Sequence, residues 1–161
     1  TMNFPDFIAD FTAYRQKEFM FELIVTQGDI TPYGCASFIN YMRWFNIARD
    51  ALLQWKNLGF DDSLKGKIET EVKLCDMQYK REAILQDEIL IKVNCSNIKL
   101  SEFTLLFTLI RKDNALLISL GKQKINFRNF ETDDILNLPQ SFVQSVLKPI
   151  EVDERSLLFK Y

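Results

Sequence analysis

Residues 28–44 read GDITPYGCASFINYMRW. The stretch holds a carboxylate at Asp29, a hydroxyl at Thr31, a turn at Pro32 and Gly34, and then an apolar-periodic run. A loop that runs at once into a helix can bring a polar group to the helix N-terminus. There, free N–H groups and a partial positive charge favour an oxygen carrying negative charge. Such a loop carries either a nucleophile, a base, or only the scaffold of a site. Asp29 reads as a base or, by preference, as a turn residue that bonds nearby backbone N–H groups. Arg49, further along the same run, is always charged and if buried needs an anion or carbonyls around it.

Composition narrows the chemistry. The chain has 161 residues and no histidine, which excludes Ser-His-Asp and Cys-His catalysis and histidine-ligated zinc. Cys35, Cys75 and Cys95 lie far apart and form neither a CxxC site nor a disulfide framework. They read as buried thiols of a reducing compartment. Five glycines include no GxGxxG and no phosphate loop, so no nucleotide cofactor is expected, and no metal constellation is visible. The net charge of −2, with Lys and Arg dispersed, argues against a nucleic-acid partner. The N-terminal residues hold no charged segment followed by an apolar run, so no signal peptide is expected. No apolar stretch reaches about 18 residues, so no membrane helix is expected and the location reads as cytoplasmic. Fourteen phenylalanines read as an apolar core or, in part, as the lining of a tunnel.

The elements that position these residues follow from the pattern. Residues 3–17 suggest a short helix. Residues 19–26 (FMFELIVT) read as a strand and 27–36 as the loop. Ser37 is placed to cap a helix running to about Lys56 and ended near Gly59. Phe38, Tyr41, Met42, Phe45, Ala48, Leu52 and Trp55 recur in steps of three and four and give it a broad apolar face. Arg43, Asn46 and Asp50 mark a polar face, with Arg49 beside it. Strands are expected at 68–79, 88–98, 103–111 and 115–127. The third is apolar on both faces and therefore central, and Asp113-Asn114 marks a turn. Pro139 opens a short helix, and 148–161 read as a tail. Short connections favour antiparallel pairing, and one long helix against such a sheet is an α+β layer arrangement. No repeat or linker appears, so residues 1–161 read as a single domain.

This order, with Asp29, Gly34, Asn40, Tyr41, Arg43 and Trp44 matching D-x-D-x-x-G-x-x-x-x-x-N-Y-x-R-W, resembles the hotdog fold and its 4-hydroxybenzoyl-CoA thioesterase-like group. The resemblance spans about residues 18–140, with the short helix and tail at 139–161 beyond it. It implies an antiparallel sheet wrapped around one long helix, and a homodimer or homotetramer with sites at the subunit interface. The group's catalytic acid falls nine residues before Asn40, where this chain has Thr31. A threonine hydroxyl without a neighbouring base neither attacks a thioester nor deprotonates water readily. Enediyne polyketide thioesterases also lack the acid. They share N-Y-x-R-W and place a functional arginine further along the helix, matching Arg49, although Thr31 differs from their asparagine. The resemblance implies hydrolysis of an acyl thioester on an acyl carrier protein or coenzyme A.

On that reading the Phe38 N–H holds the thioester oxygen, and Arg49 with Thr31 orients water. Tyr33, Gly34, Ser37, Asn40 and Tyr41 line the substrate site. Each has a plainer alternative. Ser37 caps an ordinary helix, Arg49 pairs with Asp50, and Thr31 closes the loop. Arg43 is structural, and Asn40 and Tyr41 bond the loop to the helix. Glu69, Glu71 and Glu82 read as solvated strand-face charges. A non-catalytic acyl-binding or pathway accessory protein is the competing function. A hotdog dehydratase would need a histidine.

Overall fold

The computed structural model describes residues 19–54 and 58–157. The short helix expected in 3–17, the helix end at Trp55 and Lys56, and the last four residues lie outside them. Strand β1 (Phe19–Ile24) leads into the 3-10 turn Gln27–Asp29 and helix α1 (Phe38–Gln54). Four long strands follow: β2 (Ile68–Tyr79), β3 (Glu88–Ser96), β4 (Glu102–Arg111) and β5 (Leu117–Asn129). A two-residue β6 (Ile135–Leu136) and a short helix α2 (Gln140–Phe142), continued by a π-helical stretch Val143–Leu147, complete the order.

The strands form one antiparallel sheet in the order β1-β3-β4-β5-β2. As its two-faced apolarity requires, β4 is central. Phe103, Leu105, Phe107 and Leu109 belong to the main core, while Leu106 packs with Leu120 in a separate cluster. β6 pairs with β5 at Phe127 and Arg128, just past the end of the β4–β5 ladder at Asn126. This strand was not foreseen, because two residues are too few to show a period.

Helix α1 buries Tyr41, Trp44, Phe45, Ala48, Ala51 and Leu52. Phe45 stacks on Phe107 at 5.0 Å and lies directly over Gly121, where an added Cβ would meet the ring at 2.6 Å. The absent side chain lets the helix approach the sheet. Phe38 and Met42, expected on the buried face, are 58% and 39% exposed. Helical periodicity places them on one side of the helix, but the ring that Phe38 meets is that of Tyr79, at the end of β2 and itself exposed.

β2 is an edge strand, and it carries edge protection: Glu69, Glu71 and Lys73 along its length and a register shift between Val72 and Leu74. Glu71 is ion-paired with Arg128, and that bond holds its carboxyl below the usual range. Glu82 lies in the connection after β2 rather than on a strand.

The segment from Lys148 to Leu157 is more than a tail. Ile150 is buried, and Val152 donates its N–H to the Cys95 carbonyl (3.0 Å). Val152 and Leu157 then cover Leu106 and Leu120 on the sheet face opposite α1, where Lys122 pairs with Glu154. The sequence of this segment has no period because it wraps round the sheet instead of lying along it.

Candidate functional site

The loop is built as a clamp. Asp29 is 6% exposed. One carboxylate oxygen accepts from the Thr26 N–H and hydroxyl, both at 2.9 Å, as the third residue of a capping box does. The other accepts from Arg43 Nη2 at 2.9 Å. The Asp29 carbonyl accepts from Asn40 Nδ2. Thus three motif residues, Asp29, Asn40 and Arg43, fasten the loop to α1, and both oxygens of the carboxylate hold a partner.

Beyond the clamp, residues 30–36 form a tight hairpin. Ile30 bridges Ala36, Gly34 N–H donates to the Thr31 carbonyl (3.0 Å), and Thr31 N–H donates to the Cys35 carbonyl (2.8 Å). Pro32 suits the first central position of the turn, and Gly34 supplies the positive φ of 86° that re-aims the chain. The Thr31 hydroxyl accepts from the Tyr33 N–H at 3.2 Å and stands 3.8 Å from Cys35 Sγ. Tyr33 at the tip is 93% exposed.

The helix start is sewn to the connection after β2. Ala36 N–H donates to the Ala83 carbonyl (2.7 Å), and Ala83 N–H donates to Tyr41 Oη (2.8 Å). The Tyr41 hydroxyl in turn points at the Arg81 carbonyl (3.4 Å). Burial pushes the Tyr41 phenol above its ordinary value, against the Ala83 hydrogen bond. Ser37 occupies the cap position through its carbonyl, which accepts from Asn40 N–H (3.0 Å). No bond of its hydroxyl, and none of the Phe38 N–H, is made to the described residues. An amide donor is therefore presented at an exposed helix start, beside the rings of Phe38, Tyr41 and Tyr79. An acyl carbonyl oxygen is the kind of acceptor such a donor can hold.

Arg49 belongs to a second cluster. Its side chain is only 13% exposed. Nη1 donates to Asn46 Oδ1 (3.0 Å) and to Gln123 Oε1 (3.2 Å). Nε and Nη2 reach the same Asp50 oxygen at 3.0 and 2.9 Å. Gln123 is 1% exposed and also donates to Asn46 Oδ1 (2.9 Å). Cys75 on β2 faces Gln123 across the ladder. Burial pushes its thiol up against a hydrogen bond with Gln123. Gln123 carried a signal in the sequence: in Lys122-Gln123-Lys124-Ile125 the alternation turns the lysines out and the amide in.

Eleven residues separate Phe38 from Arg49 on one helix, which is about 16 Å of rise. The structure thus ties Asp29 to Asn40 and Arg43, holds Thr31, Tyr33 and Gly34 in the hairpin before the helix, fixes Tyr41 to Ala83 at the helix start, and leaves Arg49 in a cluster of its own in the same chain. No group of His, Cys, Asp or Glu able to hold a metal ion occurs among the described residues. No helix among them is long and apolar enough to cross a membrane.

A model of the thioesterase-like superfamily matches residues 25–147. No curated protein matches the chain by sequence. Several solved structures do so by fold. The dynemicin thioesterase has a TM-score of 0.74 at 16% identity, covering 84% of this chain and 99% of that one. A 1,4-dihydroxy-2-naphthoyl-CoA thioesterase from Synechocystis has 0.70 at 14% identity, covering 80% and 95%. A mutant 4-hydroxybenzoyl CoA thioesterase complexed with 4-hydroxybenzoyl CoA has 0.68 at 16% identity, covering 81% and 99%. Such likeness shows the fold, which is the hotdog arrangement of an antiparallel sheet around one long helix.

Proposed function

We propose, from the premise that this chain belongs to the thioesterase-like superfamily, that it hydrolyses an acyl thioester carried on an acyl carrier protein or coenzyme A. The observation that carries the reading is the Phe38 N–H, an amide donor presented at an exposed helix start and held there by the Ala36–Ala83–Tyr41 bonds. In the proposed reaction the thioester oxygen accepts from this N–H. Water adds to the carbonyl carbon, the C–S bond breaks, and the thiolate leaves with the proton that water gives up. Thr31, accepting from Tyr33 N–H, keeps its own hydroxyl hydrogen to orient that water. Tyr33, Gly34, Ser37, Asn40 and Tyr41 shape the acyl entrance.

Arg49 joins this chemistry only if a second copy of the chain supplies it, because the rise along α1 separates it from Phe38 by about 16 Å. A homodimer or homotetramer is therefore part of the proposal. Three free cysteines suit a cytoplasmic location. Asp29 acts as scaffold in this reading, since its carboxylate oxygens are taken up by Thr26 and Arg43.

That same engagement favours the second reading, a non-catalytic acyl-binding accessory protein: with Asp29 engaged and Thr31 at the acid position, the loop offers no uncommitted carboxylate. The two part on thiol release from acyl-carrier-protein and acyl-CoA thioesters. Release above background supports the hydrolase. Tight acyl binding with no release on any chain length supports the accessory protein.

A further inference from the structure

We infer that Gln123, buried on β5, is a positioning residue that fixes the orientation of the Arg49 guanidinium and leaves it only Nη2 to offer. The inference rests on the thioesterase reading for its catalytic consequence and on geometry alone for the positioning. A guanidinium has five N–H groups. Three are committed by hydrogen bonds: two on Nη1, to Asn46 and Gln123, and the one on Nε, to Asp50. Nη2 lies 2.9 Å from the same Asp50 oxygen as an ion pair and has no other partner among the described residues. Gln123 makes this arrangement rigid because it closes a ring. Its Oε1 accepts from Arg49 while its Nε2 donates to the Asn46 oxygen that Arg49 also uses.

At 1% exposure the amide of Gln123 has no water to turn toward. An unbonded amide there is costly, so the ring is the stable state of all three side chains. The consequence is that Arg49 meets an acceptor, either a water or an acyl oxygen, through Nη2 alone. The bidentate fork that arginine presents to carboxylates is not open to it. Gln123 never touches substrate in this account. It acts through Arg49.

The test pairs kinetics with a signature that does not need turnover. Gln123→Leu removes both halves of the ring, and Gln123→Glu keeps an acceptor for Nη1. With decanoyl-CoA and palmitoyl-CoA as probes, Gln123→Leu is expected to lower kcat by about 10–100-fold at little change in KM. Gln123→Glu recovers most of the loss, and in an Arg49→Ala background Gln123→Leu adds nothing further. In parallel, the Nη signals of isotope-labelled Arg49 are expected to be separate in the wild type, from hindered rotation, and averaged in Gln123→Leu. Signals equally separate in both proteins overturn the inference, as do losses that simply multiply in the double variant. A wild type that hydrolyses neither probe, with Arg49 signals that are separate and collapse in Gln123→Leu, supports the positioning and counts against these two CoA thioesters alone as substrates.

Discussion

Replacing Asp29 by alanine tests whether the loop carboxylate is scaffold. The structure gives the magnitude. The Thr26 N–H loses its acceptor at the start of the 3-10 turn, a capping loss of about 0.5–2 kcal/mol. The Thr26 hydroxyl bond is worth roughly another 0.5–1.5 kcal/mol. The ion pair with Arg43 is discounted to about 0.2–1 kcal/mol, because the Arg43 side chain is 59% exposed and screened. The expected destabilisation of Asp29→Ala is therefore about 1–4.5 kcal/mol. Arg43→Ala alone should lose no more than about 1 kcal/mol, with a coupling energy between the two sites of the same small size. Urea unfolding reads these losses, and buried Trp44 provides a fluorescence signal for it. A loss below about 0.5 kcal/mol for Asp29→Ala would refute the clamp. So would unchanged stability combined with abolished thioester turnover, which would make Asp29 a base.

Three further outcomes are expected. Gly121→Ala should cost about 1–3 kcal/mol of stability, because the new methyl meets the buried Phe45 ring; a melting temperature equal to wild type would show that the helix can lift off the sheet. Of the cysteines, exposed Cys75 should react with a thiol reagent at pH 8 in the folded protein, while Cys95, pushed up to about 12 by burial, reacts only on unfolding; early labelling of Cys95 would contradict its packing under Leu147. The Tyr41 phenol lies above its ordinary 10 in the folded state, so its contribution to stability is whole below pH 10 and is lost as pH rises through the folded value. Tyr41→Phe should be less stable than wild type at neutral pH, because the Ala83 N–H loses its acceptor, yet lose less as pH rises above 10. Parallel alkaline limbs would mean that Tyr41 ionises freely.

The long elements were legible because each carries one period over many residues. Expected strands at 68–79, 88–98, 103–111 and 115–127 meet observed ones at Ile68–Tyr79, Glu88–Ser96, Glu102–Arg111 and Leu117–Asn129. The shift at the start of β5 has a cause: Ala115 takes a positive φ of 57° and donates its N–H to the Arg111 carbonyl (2.9 Å), so the turn runs on past Asp113-Asn114. Asn97 takes a positive φ of 50° and belongs to the bend, not the strand. The loop motif was legible as spacing, but spacing does not say which atoms bond. That Asp29, Asn40 and Arg43 form one clamp emerges only when the helix lies against the loop. Nor does a helical wheel show which part of an apolar face the sheet covers, and Phe38 and Met42 lie on that face yet stay exposed. The Arg49–Gln123 contact joins residues 74 apart, and sequence distance carries no trace of it.

The most direct test is thiol release from acyl-carrier-protein and coenzyme A thioesters by the wild type, Arg49→Ala, Thr31→Ala and Asp29→Asn. The account expects wild-type turnover that falls sharply in Arg49→Ala, falls in Thr31→Ala, and in Asp29→Asn follows only the fraction of protein that remains folded. Turnover that survives in Arg49→Ala and Thr31→Ala but vanishes in a folded Asp29→Asn would contradict it and would place the base two residues earlier in the loop.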